Sequence, residues 1–231
     1  MEQTSNAQPT RFCDTGRQTG LFYLLMALSG LLGFLIFHPM VFVFGDPEAT
    51  YKQLIYEGGA APVRLVLEML IVFFQALTAI WFYRLFRSVN EWASLAVMIW
   101  GTVNSVAIMV SAMAISSAIG LAHSEVISDE NAIQAVALMQ EISSQAWTAG
   151  SVFFGLWLIP LGLLVIQSGV MSRILGRILQ WGGALYVIQT FMIYFGVNGD
   201  WIEVLVLPAT VGEFWVIGWL LWKGNSKIGV K

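Results

Sequence analysis

Residues 93–119 read ASLAVMIWGTVNSVAIMVSAMAISSAI, without a single Asp, Glu, Lys or Arg. As a helix this stretch is about 40 Å long, more than enough to cross a hydrocarbon core of about 30 Å. Five further apolar runs flank it: Leu21 to Phe44, Val63 to Phe86, Trp147 to Ile166, Ile174 to Phe195 and Val204 to Trp222. The pattern predicts an all-α integral membrane bundle of six transmembrane helices. Composition agrees, since the 231 residues are 58% hydrophobic and 11% charged with a mean hydropathy of +0.75, against about 25% charged residues in a soluble domain. A net charge of −3 favours neither nucleic acid nor a solvating acidic tail. One cysteine, Cys13, excludes an intramolecular disulfide, a Cys-rich zinc site, an iron–sulfur cluster and a CxxCH haem attachment.

The first run is too long for a signal-peptide core and no small-residue cleavage site follows it, so it is expected to stay as an uncleaved anchor. Nine of the eleven cations fall in the N-terminal segment, the second and fourth connections and the C-terminal tail, which places both termini in the cytoplasm. The expected organisation is a cytoplasmic segment 1–20, a transmembrane domain 21–222 and a cytoplasmic tail 223–231. On the outer side, Asp46-Pro47-Glu48 supplies an N-cap, a helix-starting proline and an acidic first turn, and Gly58-Gly59 a stop. A short interfacial helix is expected there. Ile133, Val136 and Met139 at helical spacing predict that the segment from Ser128 to Gln145 extends the fourth transmembrane helix outward. Pro39, Pro160 and Pro208 each remove a helical hydrogen bond and mark local bends or ends. Ser29-x3-Gly33, Gly101-x3-Ser105, Ala114-x3-Ala118 and the cluster Gly176, Gly182 and Gly183 are places where helices can approach closely. No residue pattern supports an internal repeat.

Three blocks carry a family resemblance: Arg17-Gln-Thr-Gly20-Leu-Phe-Tyr23-Leu; Phe153-Phe-Gly155-Leu-Trp-Leu-Ile-Pro160-Leu-Gly162 with Ser168-Gly169 and Arg173-Ile-Leu-Gly176; and Gly212-Glu213 before Trp219-Leu and Lys223-Gly224. Together they resemble the bacterial multi-pass membrane family catalogued as domain of unknown function 4386, over nearly the whole chain. Met171-Ser172 departs from it where the family pattern has a proline. The resemblance implies a fold and a bacterial cytoplasmic membrane location, and no activity.

Glu213 lies about midway along the last run, where a charged residue costs about 2.5–3.5 kcal/mol on the insertion scale. Its functional reading is a proton-accepting or ligand-binding group, its bland one a carboxyl hydrogen-bonded to a neighbouring helix. Arg64, Glu68 and Gln75 fall within about 40° on a helical wheel, giving the second run one polar stripe that must face protein or water. Arg64 and Glu68 are four apart and can simply pair; alternatively Arg64 holds an anionic head group that Glu68 orients. Asn104 and Ser111 share a face of the third run, and Gln180 and Tyr194 one of the fifth; both pairs serve either a cavity or interhelical hydrogen bonds. His38 and His123, with Glu68 and Glu125 at similar depth, offer an alternative mixed metal site suited to zinc, although no HExxH or other short ligand pattern accompanies them. Ordinary interfacial histidines explain the same residues. A bis-histidine haem would have only this one pair to use.

No lysine occurs between Lys52 and Lys223, which excludes a retinal Schiff base in the bundle. No GxSxG, P-loop or GxGxxG follows a strand. Ten tryptophans and fifteen phenylalanines permit an aromatic-lined pocket, and ordinary packing predicts the same rings. The leading expectation is a membrane protein that binds or moves a small apolar or lipid-like ligand, with Glu213, Arg64, Glu68, Gln75 and Asn104 as polar contacts and no cofactor. Its partners would be the bilayer and that ligand, not nucleic acid. The rivals are a metal-dependent enzyme acting on lipid at the outer face through His38, His123, Glu68 and Glu125, and a structural or regulatory subunit without ligand.

Overall fold

The structure, a computed structural model, describes residues 9–56, 59–197 and 199–224. The expectations at Gly58 and for most of the C-terminal tail lie outside the described residues, as does the start of the N-terminal segment. Every regular element among the described residues is helical. α1 runs over Pro9–Leu31, then widens into a π-helix over Leu32–Phe37 before α2, His38–Val41. Pro39 explains the widening. Its ring collides with the carbonyl four residues back and offers no N–H, and within the wider turns the His38 N–H reaches the Gly33 carbonyl five residues back.

α3, Pro47–Ile55, is a short helix where the sequence expected one: Asp46 Oδ1 accepts from the Ala49 N–H at 2.9 Å and Pro47 opens the helix. α4 spans Ala60–Phe86 and α5 Glu91–Ala122, the latter capped by Asn90, whose Oδ1 accepts from the Ala93 N–H at 3.0 Å. α6 is one helix of 40 residues, Asp129–Ser168, so the segment from Asp129 to Gln145 is continuous with the span that follows it. α7, Arg173–Tyr194, starts at Ser172, whose hydroxyl accepts from the Ile174 N–H at 3.2 Å. α8, Asp200–Glu203, and a 3₁₀ turn at Val204–Val206 lead into α9, Leu207–Lys223.

Among the described residues five segments are long and apolar enough to cross a membrane: Thr15–Val41, Ala60–Phe86, Glu91–Ala122, Asp129–Ser168 and Trp201–Lys223. The six-helix expectation is met at five. α7 forms where the fifth span was expected and has 22 residues, but Arg173, Arg177, Gln180, Gln189 and Thr190 dilute its apolar content. The chain is a multi-pass membrane protein. Leu35, Val66, Phe73, Met113 and Val211 are among its many exposed apolar side chains, a surface that suits lipid and that a soluble monomer does not show.

The chain divides into two compact units. The first comprises Met1–Leu24, Gln75–Asn104 and Ser151–Lys231, the second Leu25–Phe74 and Ser105–Gly150. Nine of the eleven cations belong to the first unit; the second has Lys52 and Arg64 and eight of the fourteen acids. The second unit has a core of Val41, Phe42, Leu54, Ala61, Ile115 and Val136, with Ala118 buried among them. In the first unit, α6 and α7 touch backbone to backbone at two glycine pairs. A Cβ on Gly155 would lie 2.6 Å from the Gly183 carbonyl oxygen, and one on Gly162 2.4 Å from that of Gly176. Gly182 is pressed equally close to Ala209 of α9. Small residues let backbones meet in this way where lipid removes any hydrophobic drive between helices.

Candidate functional site

Two polar clusters lie within the apolar helices, one in each unit. In the second unit, Arg64 and Glu68 are fully buried one turn apart on α4, with Arg64 Nη1 donating to Glu68 Oε2 at 2.5 Å. The other carboxylate oxygen accepts from the Ser111 hydroxyl on α5 and from Trp147 Nε1 on α6, the latter at 2.8 Å. Ser111 also meets the Ser143 hydroxyl of α6 at 2.7 Å. The Arg64 guanidinium lies over the Phe34 ring, 4.8 Å from its centroid, and Phe34 in turn packs edge-on against Trp147 at 4.5 Å. Glu68 thus has donors from three helices, with the π-helical segment of the first span closing over its partner. Removing one charge from such a pair costs about 3–5 kcal/mol, while one interhelical hydrogen bond in lipid is worth only about 0.6 kcal/mol. The ion pair dominates the cluster, and the serines trim it.

In the first unit, the Tyr23 hydroxyl of α1 donates to Glu213 Oε1 of α9. Tyr23 is buried, its ring edge-on to Phe82 and to Trp157 with centroids 5.6 Å away in each case. Trp157 itself is fully buried, with no hydrogen-bond partner for its Nε1 among the described residues. Gly101 makes room for it, because a Cβ there would meet its ring at 2.9 Å. Glu213 differs from Glu68 in three respects. It is half-buried, it has no cation within ion-pair distance among the described residues, and Tyr23 is its one described hydrogen-bond donor. One carboxyl oxygen is left available on the wall of an aromatic cluster.

The opposite side of α9 carries a groove of about 270 Å³ lined by Phe214, Trp215, Gly218, Trp219, Trp222 and Lys223. On the helical wheel these residues are centred about 180° from Glu213. The groove and the carboxyl are separate features.

The stripe expected on α4 is present, with Arg64, Glu68 and Gln75 all buried, and Gln75 Nε2 has no partner among the described residues. Asn104 and Ser111 are both buried on α5 as their shared face requires, whereas Gln180 packs on Gly162 and Tyr194 is exposed. The four residues of the metal alternative are not gathered. Glu68 is enclosed by its donors, His123 and Glu125 are exposed, and His123 Nδ1 donates to the Ile119 carbonyl at 2.9 Å. Among the described residues no three His, Cys, Asp or Glu side chains are placed to hold a metal. His38 packs between Phe34 and Phe42 with tilted rings, and its buried Nδ1 has no hydrogen-bond partner among the described residues. Sequence reasoning named Glu213 and Glu68 but missed their partners Tyr23 and Trp147, and Ser143 behind Ser111. The resemblance block containing Tyr23 was the one signal available for the first of these.

The family model for a domain of unknown function, DUF4386, matches residues 18–224. No curated protein and no solved structure matches the chain.

Proposed function

We propose, for a chain that belongs to the family of the domain of unknown function DUF4386, a role in binding or moving a small, largely apolar or lipid-like ligand, with Glu213 as its polar contact. The observation that carries this reading is the contrast between the two acids set within apolar helices: among the described residues Glu68 has a cation and two further donors, and Glu213 has one phenol donor and no cation. A carboxyl kept in an apolar helix without a protein cation calls for a functional reason. Arg64, Glu68 and Ser111 act in this reading as the joint that holds α4, α5 and α6 together, with Gln75 and Asn104 as further buried polar groups. α7 is taken as the sixth span, since its 22 residues reach about 33 Å and its glycines give it tight seats on α6 and α9. α3 lies at the outer interface. The protein resides in the bacterial cytoplasmic membrane with both termini inside.

The test is Glu213→Gln, which keeps shape and hydrogen bonding but cannot release a proton. Purified wild type and variant are compared for melting temperature in detergent and for co-purified small molecules and lipids by mass spectrometry. A melting temperature within about 2 °C, with a changed ligand complement or a lost pH response of retention, is the expected result. Unchanged stability, ligand content and pH response would leave the structural-subunit reading in its place, and stoichiometric zinc lost on His38→Ala or His123→Ala would favour the metal enzyme.

A further inference from the structure

We infer that the outward groove of α9 is a docking site for one anionic phospholipid, its acyl chain lying along Gly218 between the aromatic rings and its phosphate on Lys223. The groove is on the lipid side of the helix: Phe214, Trp215 and Trp222 are exposed, while Val216, Ile217 and Leu220 on the other side are buried. Its floor is bare, because a Cβ built on Gly218 meets nothing within 4 Å. Its volume of about 270 Å³ lies at or below the lower limit for a compact small-molecule pocket, about 300 Å³, and suits a single flexible chain.

The ring positions oppose close packing of a second helix in the same place. Close approach of two helix backbones needs small residues one turn apart, and the positions one turn on either side of Gly218 are Phe214 and Trp222. A hydrocarbon chain passes between such rings; another backbone does not.

Charge selects the head group. Lys223 ends the groove and forms no ion pair among the described residues. Exposed Arg17 belongs to the same end, for its backbone nitrogen would be 2.8 Å from a Cβ on Gly224. The sequence beyond Gly224 adds Lys227 and Lys231 and no acid. Cations clustered at the end of a membrane helix recruit anionic lipid, and tryptophans at that depth occupy the head-group boundary.

The experiment uses the full chain in detergent, titrated with phosphatidylglycerol or phosphatidylcholine carrying identical brominated acyl chains, with tryptophan fluorescence quenching and native mass spectrometry as readouts. Wild type is expected to quench at lower phosphatidylglycerol than phosphatidylcholine and to retain one phosphatidylglycerol. Lys223→Gln should weaken phosphatidylglycerol about fivefold, the effect of one interfacial cation, and leave phosphatidylcholine unchanged. Gly218→Leu, which fills the open floor without a clash, should reduce quenching by both lipids while its melting temperature stays at the wild-type value. The preference for phosphatidylglycerol over phosphatidylcholine, which needs a cation, separates this site from the ligand contact at Glu213, which has no cation within ion-pair distance among the described residues. Equal response to the two lipids in wild type, or an unaltered preference in Lys223→Gln, overturns the proposal. Competition by glycerol phosphate as effective as by whole lipid would mean a free-anion site, and a dimer abolished by Gly218→Leu would mean a second copy; either result also overturns it.

Discussion

Glu68 and Glu213 are the same residue type in helices of similar hydropathy, and what surrounds each decides its role. Glu68 is closed off by Arg64, Ser111 and Trp147, so its loss is felt as stability. Arg64→Met should lower the unfolding free energy by about 3–5 kcal/mol, because it leaves an uncompensated buried carboxylate, whereas Arg64→Met combined with Glu68→Leu should recover most of that loss. Ser143→Ala should cost less than about 2 kcal/mol, the upper end for one interhelical hydrogen bond in lipid. Denaturation of the four proteins in the same detergent checks the order; a double variant as unstable as the single one would mean that the ion pair does not dominate the cluster. The stripe that contains Arg64 and Glu68 was legible, since a helix repeats every 3.6 residues and the two sit on one face. Their partners were not. Ser111 and Trp147, and Ser143 behind Ser111, come from other helices, and spacing along a chain carries no information about which helix stands next to which.

At the scale of elements, the two glycine contacts between α6 and α7 give the sharpest test. Gly183→Val places side-chain carbon against the Gly155 carbonyl and should separate the helices, with a loss of several kcal/mol. Gly120→Ala on α5, where an added Cβ meets nothing within 4 Å, should be neutral or stabilising by up to about 1 kcal/mol. Melting curves of the two proteins give the comparison, and equal melting points would refute the packing argument. α3 offers a test by pH. Tyr51 donates to Asp129 Oδ1 at 3.1 Å, and its pKa is raised above 10.0 by desolvation first and then by that hydrogen bond and the carboxylate's charge. A raised pKa means that the contact's contribution is fully present below the unfolded value and is lost as pH rises through the folded one. Lys52, raised by its bond to Glu48 at 2.7 Å, adds in the same direction. Hydrogen exchange in α3 should therefore accelerate above about pH 10 beyond its intrinsic trend, and Tyr51→Phe should reduce that extra rise. The capping of α3 was legible because Asp46-Pro47-Glu48 is local chemistry. The status of α7 was not, because its run of apolar residues is interrupted by Arg177, Gln180 and Gln189, and the glycines that seat it act only through partners on α6 and α9.

For the molecule as a whole, the division of cations makes a topological statement. Cysteines introduced near Glu125 should react with an impermeant reagent from outside, and those near Arg87 and Arg173 should not, in a background where Cys13 is replaced. Labelling at Arg87 from outside would invert the threading. The multi-pass character was legible from composition and run length alone, since lipid accepts only helices or closed barrels and no run here has strand alternation. The count of spans was the part that depended on tertiary neighbours. The glycine seats between α6 and α7 also bear on biogenesis. If α7 is the sixth span proposed above, it is too polar to leave the translocon unaided and should depend on α6, joined to it by the short turn over 169–172. Released with α6 as a hairpin, α7 should be integrated; released behind an unrelated span, or behind α6 carrying Gly155→Leu and Gly162→Leu, it should slip through into the aqueous side, which glycosylation tags flanking α7 would record.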